Sequence, residues 1–266
     1  GVLVFFLGTI TAWTVTNFNF PGRNTFEWAL ILPLAIPPYT LAYTFTGLFD
    51  PYGDANNLIR EILGLDQDVI IFPGVRNIYG AITVFGFTLY PYVYLVSRSA
   101  FINQSKSMIE ASRMLGLNQI QVFYKLALPI IRPAAVGGMM LVIMETLSDF
   151  GAVDHFAIET FTTGIFRTWY GLYDLQTAMQ LASLLLITVG IFYILEKNSR
   201  GDGIYTSSNS TFSPNKEEVL SGIRAFFAFS ICLLPIFIGF ILPILELSLW
   251  AYEVNIAFFN EKFFKN

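Results

Sequence analysis

Two carboxylates, Glu145 and Asp149, are candidates for chemistry because they stand at the end of a long apolar stretch. Spaced four residues apart, they would share one face of a helix. A carboxylate at that depth in a membrane costs a few kcal/mol unless it faces protein or water. Two interpretations stay open. The pair lines a translocation path, or it satisfies buried polar groups or pairs with an arginine such as Arg167 for assembly alone.

Motifs for catalysis and metal binding are absent from the sequence. There is no Gly-x-x-x-x-Gly-Lys-[Ser/Thr] run to cradle phosphates, so the chain cannot itself be an ATPase. His155 and Cys232 are the single histidine and the single cysteine, which excludes a histidine cage and a cysteine metal site. We therefore predict no enzyme activity, no catalytic residue, no metal site and no cofactor in this chain. Any energy source must come from a partner or an ion gradient.

The composition is that of an integral membrane protein. Of 266 residues, 55% are hydrophobic and 13% are charged, against about 25% charged in soluble domains. The aromatic share of 17% is typical of chains whose Trp and Tyr residues line membrane interfaces. No sustained basic stripe is present, so we expect contact with membrane lipid and none with nucleic acid.

Six stretches approach the ~20 apolar residues that a spanning helix needs, which predicts an all-α, polytopic transmembrane helical bundle. The stretches are 1–16, 28–48, 77–97, 133–151, 177–195 and 223–250. Pro33, Pro37 and Pro38 should bend or unwind the second stretch, as a gating hinge or as a static kink. Pro243, with Pro235 before it, should kink the last one.

The polar composition of residues 198–222 predicts a cytoplasmic linker between two transmembrane modules. Residues 1–197 would form the first module, and residues 223–266 would open a second one. Because the chain begins with Gly1 inside an apolar run, we expect it to be part of a longer polypeptide that lacks its N-terminus here.

A polar, basic loop at residues 98–132 separates the third and fourth stretches. Ser107 and Glu110 have capping-box spacing for a short helix that Gly116 would end. Asn118 would cap a second short helix through Lys125, with Pro129 and Pro133 bracketing the start of the next span. Together these features predict a helix-turn-helix elbow that serves as a docking surface.

Basic residues predict on which side this loop lies. If it is cytoplasmic, alternation puts ten Lys and Arg residues on the cytoplasmic side and five on the other. The excess on one side agrees with the positive-inside rule.

The loop resembles the EAA loop of ABC importer permeases. Its matching residues are Glu110-Ala111-Ser112, then Gly116, then Leu126-x-Leu128-Pro129, with Ser112 for the second alanine and Leu126 for isoleucine. The resemblance implies that the loop inserts into a cytoplasmic ATPase dimer, which uses ATP and Mg, and transmits its closure to the helices. It also implies a periplasmic or lipid-anchored substrate-binding protein, a second permease module, fused or separate, and a multi-pass location in a bacterial inner membrane.

Further runs resemble the ferric-iron branch of these permeases. They are residues 145–151, residues 162–165, and Phe20-Pro21-Gly22-Arg23 followed by residues 32–39. Thiamine and polyamine permeases are close relatives with much the same pattern, so both stay open as alternatives. An ion-gradient-driven secondary transporter is the alternative from a different class, since it would also carry intramembrane acids.

Overall fold

The structure, a computed structural model, describes residues 1–66, 68–72, 74–103, 112, 114, 116–200 and 218–258. These residues form a bundle of helices with one two-stranded parallel pairing, so the predicted all-α class is confirmed. The α-helices and strands are α1 Val2–Asn17, β1 Phe18–Asn19, α2 Arg23–Ala29, α3 Pro38–Phe49, α4 Asp54–Leu63, α5 Ile78–Ile102, α6 Gln119–Val122, α7 Leu128–Ser148, α8 Gly151–His155, α9 Phe161–Phe166, α10 Leu175–Arg200, β2 Glu218–Val219, α11 Ile223–Ile236 and α12 Leu242–Phe258.

Each predicted span has a helical counterpart. Within the described residues, four helices are long and apolar enough to cross a membrane: Ile78–Ile102, Gln119–Ser148, Leu175–Leu195 and Ile223–Tyr252. A bent pair, Arg23–Ala35 with Pro38–Leu63, counts as a fifth span, and Val2–Asn17 is a shorter apolar helix. The chain is therefore a multi-pass bundle.

The second predicted span, 28–48, is not one helix. The chain turns by 88° between Arg23–Ala35 and Pro38–Leu63. A 3₁₀ helix, Leu32–Ala35, ends at Ile36, which is extended at φ −101° and ψ 116°. Pro37 disfavours helical backbone in the residue before it, and Pro38 occupies the first turn of a new helix, where a proline is well tolerated. The three prolines thus break the span, as predicted, and change its direction.

The fourth span is longer than predicted, although Pro129 lies in the first turn of Leu128–Ser148, at the entry where it was expected. One helix runs from Gln119 to Ser148 without interruption. A π turn, Phe123–Ala127, stands directly before Leu128-Pro129. Its extra residue widens the turn that a proline ring would otherwise crowd. The second short helix therefore does not end at Lys125 but continues into the span.

The last span accommodates Pro243 in the same way. A π turn, Phe237–Ile241, precedes Leu242-Pro243 with the spacing found before Pro129. The helix Ile223–Tyr252 continues through it. The predicted disruption at Pro243 therefore takes the form of a π turn inside a continuous helix.

Close helix packing at glycines forms the centre of the bundle. A Cβ atom on Gly8 of α1 would lie 2.7 Å from the Cβ of Val93, and one on Gly138 of α7 would lie 2.9 Å from the Cα of Val93. Helix α5 therefore sits between α1 and α7 at a separation that only glycine permits.

The connecting segments alternate between the two ends of the bundle. At one end, Phe18–Asn19 pairs with Glu218–Val219, and the Gln119 side chain donates to Glu218. At the other end, Thr46 hydrogen-bonds His155 and Gly47 packs on Trp250. We call the first, which carries the basic loop limbs, the inner end and the second the outer end.

The predicted linker 198–222 lies only partly within the described residues. Helix α10 continues through Arg200, residues 201–217 are outside the described part, and Glu218–Val219 forms the strand at the inner end. The last helix packs on the preceding bundle, with Phe229 against Phe26 at a centroid distance of 5.1 Å. The assignment of residues 223–266 to a second module stays a prediction.

Candidate functional site

The far limb of the basic loop begins at a fully formed cap. The Asn118 side chain accepts a hydrogen bond from Gln121 N at 2.8 Å, and the Gln121 side chain accepts one from Asn118 N at 3.0 Å. This reciprocal capping box satisfies two backbone donors that the first helical turn leaves free. The predicted cap is confirmed, and it starts a helix that leads directly into the membrane.

The turn before this cap has the geometry that the sequence predicts. Gly116 has φ +80°, the left-handed conformation that ends a helix at little cost in glycine. Leu117 N donates to Ser112 O at 3.2 Å, and Ser112 is buried. The other two residues of the predicted docking turn, Glu110 and Ala111, lie outside the described residues, so their docking role stays a prediction.

The C-terminal part of the predicted docking set lies on the helix that enters the bundle. Leu126 and Leu128 are half-buried against the core, whereas Pro129 is exposed. Ala127 between the two leucines is fully buried. These residues attach the far limb to the bundle and leave one side of it open. Their part in docking likewise stays a prediction.

Both limbs of the loop rest on one tryptophan. The Trp13 ring lies 5.2 Å from the Phe101 ring, at the end of α5, and 5.5 Å from the Phe123 ring, in the π turn. Such tilted and edge-on contacts each add about 0.5–1.5 kcal/mol beyond area burial. The sequence analysis missed this clasp. The available signal was the pair of aromatic residues Phe101 and Phe123, one on each limb of the loop.

An ion-pair cluster lies beside the clasp. Glu27 on α2 pairs with Arg23 at 2.9 Å and with Arg98 on α5 at 3.0 Å. Arg23 also donates from Nε to Val15 O at 2.7 Å. Each of the three charged side chains is less than a third exposed. The cluster joins α1, α2 and α5 where the basic loop begins. The sequence analysis missed Glu27, an acid among the basic residues of this end.

Asp149 is a helix-capping residue, and the prediction that it shares a helix face with Glu145 is wrong. Helix α7 ends at Ser148, and Asp149 has extended backbone at φ −68° and ψ 135°. Its Oδ1 accepts hydrogen bonds from Ala152 N at 2.9 Å and Val153 N at 3.2 Å. Burial raises the pKa of this carboxyl, against the lowering effect of those two bonds. Its predicted place in a path remains untested, but its contacts are those of a cap.

Glu145 is exposed on the last turn of α7, and its carboxylate makes no hydrogen bond or ion pair within the described residues, although its backbone O accepts from Ser148 Oγ and Asp149 N. Arg167, the arginine considered as a partner for the two acids, instead lies 3.4 Å from Glu159 and 3.9 Å from Asp154. The Glu145 carboxylate is therefore accessible to water or to another protein surface.

Glu246 is a further intramembrane acid, which the sequence analysis overlooked. It lies in the last span and is 4% exposed. It stands four residues before Trp250 in one continuous helix, so the two share a face. The signal was available in the sequence, because an ionisable residue inside a span marks a functional or paired position.

A family model for the binding-protein-dependent transport system inner membrane component matches residues 5–197. The matched region holds the broken span, the loop limbs with their clasp, Glu145 at the end of the fourth span and the capping residue Asp149. The chain belongs to this family. Its members are inner-membrane permease components of ABC importers, the family that the resemblance to the EAA-loop proteins implied.

Individual relatives of this permease differ in substrate. It is 26% identical over 216 residues to the Fe(3+)-transport system permease protein FbpB 2 of Haemophilus influenzae, covering 81% of this chain and 38% of that one. It is 32% identical over 152 residues to the sulfate permease CysW of Escherichia coli, covering 55% and 47%. It is 24% identical over 157 residues to the putative molybdenum permease YvgM of Bacillus subtilis, covering 59% and 66%. The permease thus spans half or less of most of these relatives.

Proposed function

We propose that this permease couples ATP hydrolysis by a separate cytoplasmic ATPase dimer to the import of a substrate delivered by an extracytoplasmic binding protein. The docking element is the basic loop 98–132, and ATP and Mg are used by the ATPase. One observation carries the proposal: both limbs of the loop are continuous with spanning helices, Ile78–Ile102 and Gln119–Ser148. A force applied to the loop would therefore act on two spans.

The clasp and the ion-pair cluster explain how such a force would spread. Trp13 contacts Phe101 and Phe123, so the two limbs move with α1 rather than independently. Arg98 pairs with Glu27, so the bent second span moves with α5. Nucleotide binding would favour one of two helix arrangements only through contacts that differ between them. A rigid loop base meets that condition. When the ATPase dimer closes, the helices attached to the base would move together with the loop, so the contacts would differ between the two arrangements.

We propose that the substrate is a cation, with ferric iron first. The support is the charge of the outer end, whose connecting segments 49–76 and 152–176 hold eight carboxylates and three arginines. One of those arginines, Arg60, is buried and bound to Val69 O and Pro51 O. A surface of this sign raises the local concentration of cations and lowers that of sulfate or molybdate. The similarity to the Fe(3+)-transport permease over 81% of the chain points the same way.

An oxyanion importer is the second candidate, because the sulfate permease CysW is the more identical relative, at 32% over a shorter region. Thiamine and polyamine remain as cationic alternatives to iron. Uptake of radiolabelled ferric iron into cells that express the complete transporter, with sulfate, molybdate, thiamine and spermidine as competitors, separates them. Competition by sulfate or molybdate alone would overturn the cation assignment.

The docking proposal is tested by Glu110→Arg in the full transporter. We expect the ATPase to be lost from the purified complex and uptake to be abolished, because a reversed charge disrupts the docking turn. The matched control is Glu61→Arg, the same charge reversal on an exposed residue of α4 at the outer end, which should retain the ATPase. Retention of the ATPase by both variants would refute docking at the loop. Uptake driven by an ion gradient without nucleotide would instead identify a secondary transporter.

A further inference from the structure

Helix α10 is the span with the least contact to the rest of the chain. Only 6% of its apolar, membrane-spanning part is buried within the chain. The side that contacts the bundle carries Ala178, which is buried, and Leu181, which reaches Gly164 of α9. The remaining faces of α10 are open along the described part of the chain.

The side opposite those contacts is polar in its outer half. Gln176, Gln180 and Ser183 are spaced four and three residues apart, so they form one stripe along the helix. All three are exposed, and together with Leu175 and Met179 they line a shallow groove. Ser183 donates to Met179 O of its own helix, whereas neither glutamine amide has a hydrogen-bond partner within the described residues.

The same side of α10 is apolar in its inner half. Ile187, Ile191 and Ile194 continue the stripe by helical spacing, and all three are exposed. Lipid would suit these isoleucines, but it cannot satisfy the Gln180 amide, which lies inside the span, because hydrocarbon offers no hydrogen-bond partner. The chemistry therefore changes along one face, from groups that need water to groups that exclude it.

From this change we infer that the outer half of this face, Gln176, Gln180 and Ser183, lines a water-filled vestibule of the translocation path. The isoleucines below it form the apolar closure of that vestibule on the inner side. The amide oxygens can accept hydrogen bonds from the water shell of an ion and the amide N–H groups can donate to that water, so the vestibule would suit a hydrated ion. This inference rests on the proposed function, since a path exists only in a transporter. Glu145 lies at the outer end of α7, which contacts α10.

Single cysteines test the vestibule directly. Cys232 is buried in the last span, so a Cys232→Ser background leaves introduced cysteines as the reactive thiols of this chain. Gln176→Cys and Gln180→Cys are placed in the full transporter in intact cells and treated with a membrane-impermeant methanethiosulfonate. Ala182→Cys is the depth-matched control for Gln180→Cys, because it is exposed, two residues away and on a different face of the helix, whereas Gln176→Cys at the outer helix end is the positive control for access to water.

We expect position 180 to react about tenfold or more faster than position 182, because a thiol must be in water to ionise and attack. Equal, slow labelling at positions 180 and 182 would place the face in lipid and overturn the inference. Slow labelling combined with disulfide crosslinking to a second permease module would show a packed interface and overturn it as well.

A second readout separates this inference from the proposed function. Labelling of Ile187→Cys is compared with and without a non-hydrolysable ATP analogue bound to the ATPase. Faster labelling in the nucleotide-bound state supports coupling of the closure to the ATPase. Labelling at Ile187 that ignores nucleotide, with fast labelling at Gln176 and Gln180, leaves the vestibule standing and counts against ATP coupling.

Discussion

Arg98 Nη2 lies 3.0 Å from Glu27 Oε2, and this ion pair ties the start of the basic loop to the bent second span. A second bond supports the same junction, since the Tyr94 hydroxyl donates to Glu27 O at 2.8 Å. Tyr94 and Arg98 precede Phe101 on α5, so the junction and the Trp13 clasp lie on the same helix. Together they make the base of the loop a single unit. The first prediction concerns this pair.

Glu27→Gln should destabilise the permease by about 1–3 kcal/mol, because it removes the charge that two partly buried arginines share. The measurement is thermal unfolding of the detergent-solubilised protein. Arg167→Gln is the matched control: its pairs with Asp154 and Glu159 are mostly exposed, and such pairs contribute about 0–1 kcal/mol. Equal shifts in the two variants would contradict the structural role of Glu27.

Gly138→Ala should destabilise the bundle by about 1–3 kcal/mol through overpacking. The new methyl would lie 2.7 Å from Val96 Cγ2 and 2.9 Å from the Val93 Cα, and the latter atom cannot move aside. Gly190→Ala is the control in another span, where a Cβ meets nothing within 4 Å. There alanine should be neutral or stabilising by up to about 1 kcal/mol, from helix propensity. Unfolding temperatures that fall equally would show that the α5–α7 contact does not require glycine.

Gly116→Ala should weaken assembly with the ATPase about fivefold, because a left-handed conformation costs an L-residue about 1 kcal/mol or more. The change acts through the backbone alone, since a Cβ at Gly116 meets no atom within 4 Å. Gly116→Asn should restore most of the binding, because asparagine tolerates this conformation. Titration of the ATPase against the reconstituted permease measures the effect. An asparagine variant as weak as the alanine variant would show that the turn does not depend on φ.

Asp149 supplies a pH-dependent prediction. Its folded-state pKa is raised, mainly by burial, so ionisation of this group opposes folding. The protonated carboxyl contributes to the free energy of unfolding. This contribution is full below the ordinary Asp pKa of about 3.9 and is lost as the pH rises through the raised pKa. Asp149→Asn keeps the capping oxygen without the charge, so its stability relative to the native protein should increase over that pH range. Asp149→Ala removes the cap together with the charge, so it should be about 1 kcal/mol less stable than Asp149→Asn at every pH. A pH-independent difference between the native protein and the asparagine variant would contradict this account.

Local signals predicted the features that depend on a few neighbouring residues. The left-handed Gly116, the capping box at Asn118 and the break at the Pro33–Pro38 cluster were all visible as short patterns and all appear in the structure. Each is decided by backbone sterics or by one hydrogen bond within a turn, so the rest of the fold has little influence on it.

The same local rules were wrong where a neighbouring turn could compensate. The second short helix was predicted to end at Lys125, but a π turn at Phe123–Ala127 lets it continue into the span. Asp149 has helical spacing from Glu145, yet the helix ends at Ser148 because the carboxylate caps the next one. Spacing reports which residues can share a face; it does not report where a helix stops.

By itself, the sequence determined that this chain crosses the membrane several times, which loops share a side, and which family it belongs to. Those properties follow from apolar run lengths, from basic residues and from a motif, all of which are additive along the chain. Only the tertiary structure decided that Trp13 joins the two loop limbs, that Glu27 binds Arg98, and that the polar stripe of α10 faces away from its own bundle. These are contacts between segments that are distant in sequence. They depend on the rotation of each helix and on the angles at which helices cross, and the apolar pattern of the sequence determines neither.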